Sequence, residues 1–112
     1  MINGFYKETH PLTTEELALV TLFVETLSLH VGEERAVTSS EIVVTLKSYG
    51  VSIQPPRIRK LIHHIRVNKL IKNLVATSNG YYIETDPKKI SDYSESLKMR
   101  AAAILAVADS FT

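Results

Sequence analysis

"TSSEIVVTLKSYGVSIQPPRIRKLIHHIR", Thr38 to Arg66, holds two amphipathic segments with only a few residues between them. Thr38, followed three residues later by Glu41, makes a capping box, with Ser39 as a rival cap. A helix is predicted from about Ser39 to Ser48, with Ile42, Val43 and Leu46 on its inner face. Gly50 supplies a left-handed stop. Val43, Val44 and Thr45 are poor helix formers, so tertiary packing must hold this helix. "VSIQ" is then a tight connector. Ser52 is the better cap by chemistry and Gln54 by position. Pro55 and Pro56 fit the first helical positions, where an amide is not needed. The next helix runs to about Val67 or Asn68, with Ile58, Leu61, Ile62 and Ile65 at three-four spacing.

This second helix opens an unusual charge run. From Pro55 to Asn73 there are six Lys or Arg residues, two His and no acid. Between Ile42 and Ile83 the count is seven basic residues (Lys47, Arg57, Arg59, Lys60, Arg66, Lys69 and Lys72) and no acid. The rest of the chain holds six basic and twelve acidic residues, so +7 and −6 give the formal net charge of +1. Segregation of this kind makes a local field in a nearly neutral protein. Turning each residue by about 100° puts Pro56, Lys60, His63 and Val67 opposite the apolar set. Arg57 and His64 flank that ridge on one side, and Arg59 and Arg66 on the other. The greasy half of the helix is expected to face the core and to aim the cationic half outward.

Outward from this pair, "TTEELALVTLFVETLSLHVG" predicts one helix over 14–31. Thr13 or Thr14 caps it, Glu15 and Glu16 favour its positive end, and Gly32 ends it. Leu17, Val20, Val24, Leu27 and Val31 form its stripe, widened by Leu19, Leu22, Phe23 and Leu29. Ala36 and Val37 read as a very short strand. "NLVATSNGYYIETD" reads as a hairpin turning at Asn79-Gly80. Asp86-Pro87 opens a last helix over 87–111, with Ile90, Tyr93, Leu97, Ala101, Ile104 and Ala108 on one face. Its "AAAILAVA" is apolar almost all round, which implies burial on several sides. The fold class is therefore mainly α with a small β-hairpin, in the order α-β-α-α-β-β-α with long N- and C-terminal helices. Residues 1–112 form a single domain, with a core at 36–85 and a C-terminal helix at 86–112.

These stretches resemble the winged helix-turn-helix domains of small phage and prophage proteins. The resemblance rests on Ile58-Arg59-Lys60-Leu61-Ile62, on Ile65-Arg66, and on the wing Ala76-Thr77-Ser78-Asn79-Gly80-Tyr81-Tyr82. Leu97-Lys98-Met99-Arg100 follows on a charged helix. It covers roughly Ala36 to Ile104 and implies DNA binding, for transcriptional control or phage replication. Two features depart from it. A double Pro55-Pro56 begins the basic helix, and the tip Ser78-Asn79-Gly80 carries no cation, so the wing should add little electrostatic affinity.

A basic helix as the second of such a pair suits the major groove, where side chains reach base edges and shoulder cations meet phosphates. The expected base-facing set is Gln54, Arg57, Lys60, His63 and His64. Arg59, Arg66, Lys69 and Lys72 are expected on phosphates, with Asn79 at the hairpin tip. The rival expectation is a protein-interaction module, an adaptor or antirepressor-like regulator, whose basic helix meets an acidic partner without touching DNA. RNA binding is the weaker third, for want of exposed aromatics on a sheet.

Catalysis is not expected. There is no Gly-x-Ser-x-Gly elbow, no glycine-rich phosphate loop and no carboxylate cluster. His63 and His64 point about 100° apart on a helix and cannot readily share an ion, so no metal is expected. No cofactor or small-molecule ligand is implied. The chain has no Cys, and "MINGFYKETHPL" lacks the pattern of a signal peptide. With no run near the ~20 apolar residues of a membrane span, the protein reads as cytoplasmic. A homodimer through 14–31 and 87–111 is expected to present two basic helices.

Overall fold

The computed structural model describes residues 10–111, and the signal-peptide expectation falls largely on 1–9, outside them. Helices α1 (Thr14–Leu17) and α2 (Val20–Leu27) come first, then a 3-10 turn at Glu33–Arg35. Helices α3 (Ser39–Ser48) and α4 (Pro55–Val67) follow, then strands β1 (Leu74–Thr77) and β2 (Gly80–Ile83), and finally α5 (Pro87–Asp109). The molecule is mainly helical with one antiparallel hairpin, in register Leu74 to Ile83 and Thr77 to Gly80.

Local signals set most boundaries. Thr38 Oγ1 accepts from the Glu41 amide at 3.1 Å, and the Glu41 carboxylate accepts from the Thr38 amide at 3.0 Å, closing the capping box on α3. Gln54 stands at the N-cap of α4 but its side chain makes no capping bond there. Asp86 caps α5 by accepting from the Lys88 amide at 2.9 Å. Past α4, the Leu70 amide donates to the Ile65 carbonyl at 3.0 Å, and Lys69 takes a left-handed φ of 56° where a glycine would be usual.

The two-residue strand read at Ala36-Val37 is a bridge at Val37. Val37 and Tyr81 exchange both backbone hydrogen bonds, at 2.9 and 2.8 Å. Gly80 makes this approach possible. Its φ is 119°, and a Cβ there would lie 2.5 Å from the Val37 carbonyl oxygen.

The single helix expected over 14–31 is broken. The Leu19 amide donates to the Glu16 carbonyl, an i−3 bond that tightens the turn at Ala18-Leu19 and separates α1 from α2. Helix α2 then stops at Leu27, short of Gly32. Thr26 and Ser28 hydroxyls donate to the Leu22 and Val24 carbonyls, which favours turning out of the helix. The chain at 30–32 runs beside β2 instead, where the Ile83 amide donates to the His30 carbonyl and the Gly32 amide to that of Ile83.

Phe23 and Leu27 of α2, Ile42 and Leu46 of α3, and Ile53, Ile71 and Leu74 surround α4. Ile58, Leu61, Ile62 and Ile65 of α4 are fully buried and form the centre of the core. The burial expected around α5 is not provided by the described residues. Only Ile90 and Tyr93 of α5 are partly covered, and every described residue from Glu95 to Phe111 is exposed. No described helix is long and apolar enough to cross a membrane.

Candidate nucleic-acid interface

Burial of one side of α4 decides where its charges go. Arg59, Lys60, His63 and Arg66 line one groove, with Ile62 in its floor and Ala76 and Tyr81 of the hairpin as the opposite wall. The groove encloses about 410 Å³, and among the described residues no carboxylate lines it. Three of its lining side chains, Arg59, Lys60 and Arg66, are cations, which concentrates positive charge there. His63 and Arg59 are exposed, whereas Lys60 and Arg66 are half-buried.

Arg66 is held rather than loose. Its Nη2 donates to the Tyr93 hydroxyl at 2.9 Å, and its guanidinium carbon lies 5.8 Å from the centre of that ring. The same hydroxyl accepts from the Ala76 amide at 3.1 Å and donates to the Ala76 carbonyl at 3.3 Å. One donor and two acceptor sites of a phenol are thereby filled. Helix α5 is tied by this oxygen to both walls of the groove. Neither Tyr93 nor the groove-lining Tyr81 stood among the expected site residues. The spacing places Tyr93 in the apolar stripe of the last helix, and Tyr81 enters only as part of the wing motif.

Arg57 corrects the expectation that it faces a nucleic-acid groove. Its Nε and Nη2 donate to the two Glu16 carboxylate oxygens at 2.8 and 2.6 Å. Its Nη1 and Nη2 also donate to the His10 and Pro11 carbonyls at 2.8 and 3.0 Å. The two side chains are only 14 % and 13 % exposed. Helical angles put Arg57 on a flank of α4 correctly, but α1 and the segment before it cover that flank. The bidentate hydrogen bonding from Arg57 pulls the Glu16 carboxyl down to about pKa 2, and the Arg57 guanidinium is raised in turn. No local signal pairs residues 41 apart in sequence.

The remaining expected residues scatter around this centre. Gln54 is exposed at the start of α4. His64 lies on the Arg57 flank, with its Nδ1 3.3 Å from Asn68 Nδ2, and does not line the groove. Lys69 and Lys72 are exposed in the loop after α4. Asn79 is exposed at the hairpin tip, its amide donating to Thr77 Oγ1 at 3.2 Å. No group of three His, Asp or Glu placed to hold a metal ion lies among the described residues. Comparison with protein-family models, with curated proteins and with solved structures finds no match.

Proposed function

We propose that the protein binds double-stranded DNA as a winged helix-turn-helix domain, with α4 entering the major groove. The observation that carries this reading is the groove where Arg59, Lys60, His63 and Arg66 meet at the base of the hairpin, with no acid among its described lining residues. A phosphate strand seated there has cations on the helix side and a hairpin on the other, while the exposed ridge of α4 reaches the bases. Gln54, Lys60 and His63 serve base edges. Arg59 and Arg66 serve phosphates, joined by Lys69 and Lys72 beyond the helix. Arg57 drops out of the contact set and becomes a structural clamp. The Val37–Tyr81 pairing supports the winged topology, since it joins the hairpin to the strand before α3. Assignment as a phage- or prophage-type transcriptional regulator or replication factor, acting in the cytoplasm, is the narrower form of this proposal and rests on the sequence resemblance.

The test is fluorescence anisotropy with a random-sequence duplex of about 20 base pairs over a salt series. A contact set of about four phosphates gives a log–log slope near −3.6. Absence of saturable binding at low salt overturns the proposal. Binding to an acidic protein in place of DNA would then favour the interaction-module reading.

A further inference from the structure

Helix α5 and the turn that follows it at 110–111 carry a second pattern, independent of the groove. Ile90, Leu97, Ile104 and Phe111 recur at intervals of seven, with Tyr93, Ala101, Val107 and Ala108 beside them. The stripe begins on the protein's own body, where Ile90 and Tyr93 are half-buried, and continues past it uncovered. Ile104 is 70 %, Leu105 61 %, Val107 60 % and Phe111 84 % exposed. Together with Leu97 and the alanines they present on the order of 600 Å² of apolar surface. That is large for a lone monomer and approaches the roughly 800 Å² per partner of a stable complex.

We propose that a second copy of this chain covers the stripe, its α5 lying antiparallel with the two-fold axis at Ile104. Steric exclusion sets the direction. The face that carries the stripe also carries the body at Ile90 and Tyr93, so a parallel pair would drive two bodies into the same space. In the antiparallel pair each body lies beyond the other helix's end, at Asp109 and its cap Ser110.

The stripe is also complementary to itself in this register. Leu97 meets the second copy's Phe111, Ala101 meets Val107, and Ile104 meets its own counterpart. Alanines between the large residues let the helices approach closely. Charge agrees. The last turn of α5 contains no basic residue to offset the negative end of the helix. Arg100, at the edge of the stripe, falls opposite the second copy's Ala108 and supplies that cation from the other chain.

This pairing separates the two Tyr93 anchors by 22 residues of axial rise, or about 33 Å. One turn of duplex DNA is about 34 Å, the spacing of successive half-sites on one face. The use of both grooves on one duplex rests on the proposed function; the dimer itself does not.

Sedimentation equilibrium without DNA at about 20 µM tests the dimer. The expected mass is twice 12.5 kDa. Ile104→Glu should halve it while leaving the circular dichroism spectrum and melting of the body unchanged, because that side chain touches nothing in the monomer's core. The chain has no Cys, so single cysteines report the register through a short bismaleimide. Ile104→Cys should cross-link to itself, and Leu97→Cys should cross-link to Phe111→Cys in a mixture. A monomeric wild type, a higher oligomer, or efficient self-linking of Leu97→Cys overturns the proposal. A dimer that binds no duplex would overturn the DNA reading alone.

Discussion

Along α4, Arg57 projects from one flank toward α1 and Arg59 from the other toward the hairpin. Arg57 finds a carboxylate and two backbone carbonyls and is nearly covered. Arg59 helps line a groove to which Lys60, His63 and Arg66 also contribute and no described acid does. Identical side chains on one helix thus serve opposite ends. One closes the fold, and the other contributes to a field that a polyanion can use. What separates them is the neighbouring surface. A covered cation is held to stability, whereas one that lines an open groove also presents its charge to a ligand.

The sharpest way to break this contrast is to remove the clamp. Arg57→Ala leaves the largely covered Glu16 carboxylate without its cation, and urea unfolding should show a loss of about 3 kcal/mol. Its DNA affinity, measured below the melting point, should change less than threefold. A tenfold loss at unchanged stability would return Arg57 to the interface.

Acid should act on the same pair. The folded-state pKa of Glu16 is depressed to about 2 from a usual 4.5. Its contribution is therefore full above about pH 5 and is lost as pH falls from about 4.5 toward 2. Wild-type melting temperature should drop through that window more steeply than that of Glu16→Gln, which starts lower.

The opposite flank should respond the other way. Arg59→Ala with Lys60→Ala should weaken duplex binding about 10- to 100-fold and flatten the salt slope by about 0.9, the share of the one phosphate contact at Arg59, with less than about 1 kcal/mol lost in stability.

Tyr93→Phe keeps the ring and deletes the hydroxyl. It should cost about 1 kcal/mol in chemical denaturation and reduce affinity a few-fold, because Arg66 loses its fixed position while its charge stays.

The smallest effect is expected at Lys69. Lys69→Gly relieves a left-handed conformation, raising stability by about 0.5–1 kcal/mol while removing one cation from the rim. Denaturation and anisotropy on the same sample should move in opposite directions.

Elements written in short-range chemistry were readable in the sequence. The capping box of Thr38 and Glu41, the prolines opening α4, the turn at Asn79-Gly80 and the Asp86 cap all act within four residues, and each stands where the residues placed it. The angular positions on α4 were equally legible, and with them the cluster of Arg59, Lys60, His63 and Arg66. Two kinds of feature were not. The break at Ala18-Leu19 has no glycine or proline to mark it. The pairing of Arg57 with Glu16 depends on how α1 lies across α4, which no periodicity encodes. The apolar pattern of α5 predicts burial, but periodicity alone does not say what, if anything, lies against it.

The phenolic oxygen of Tyr93 joins α5, Arg66 and the backbone of β1 at one point. Beyond it the helix extends for another 16 residues to Asp109, roughly 24 Å of solvent-exposed rod. Such a rod is a lever whose fulcrum sits beside the cationic cleft. Whatever sets the tilt of that rod also sets where the Tyr93 hydroxyl, and the Arg66 guanidinium bound to it, stand in the cleft wall.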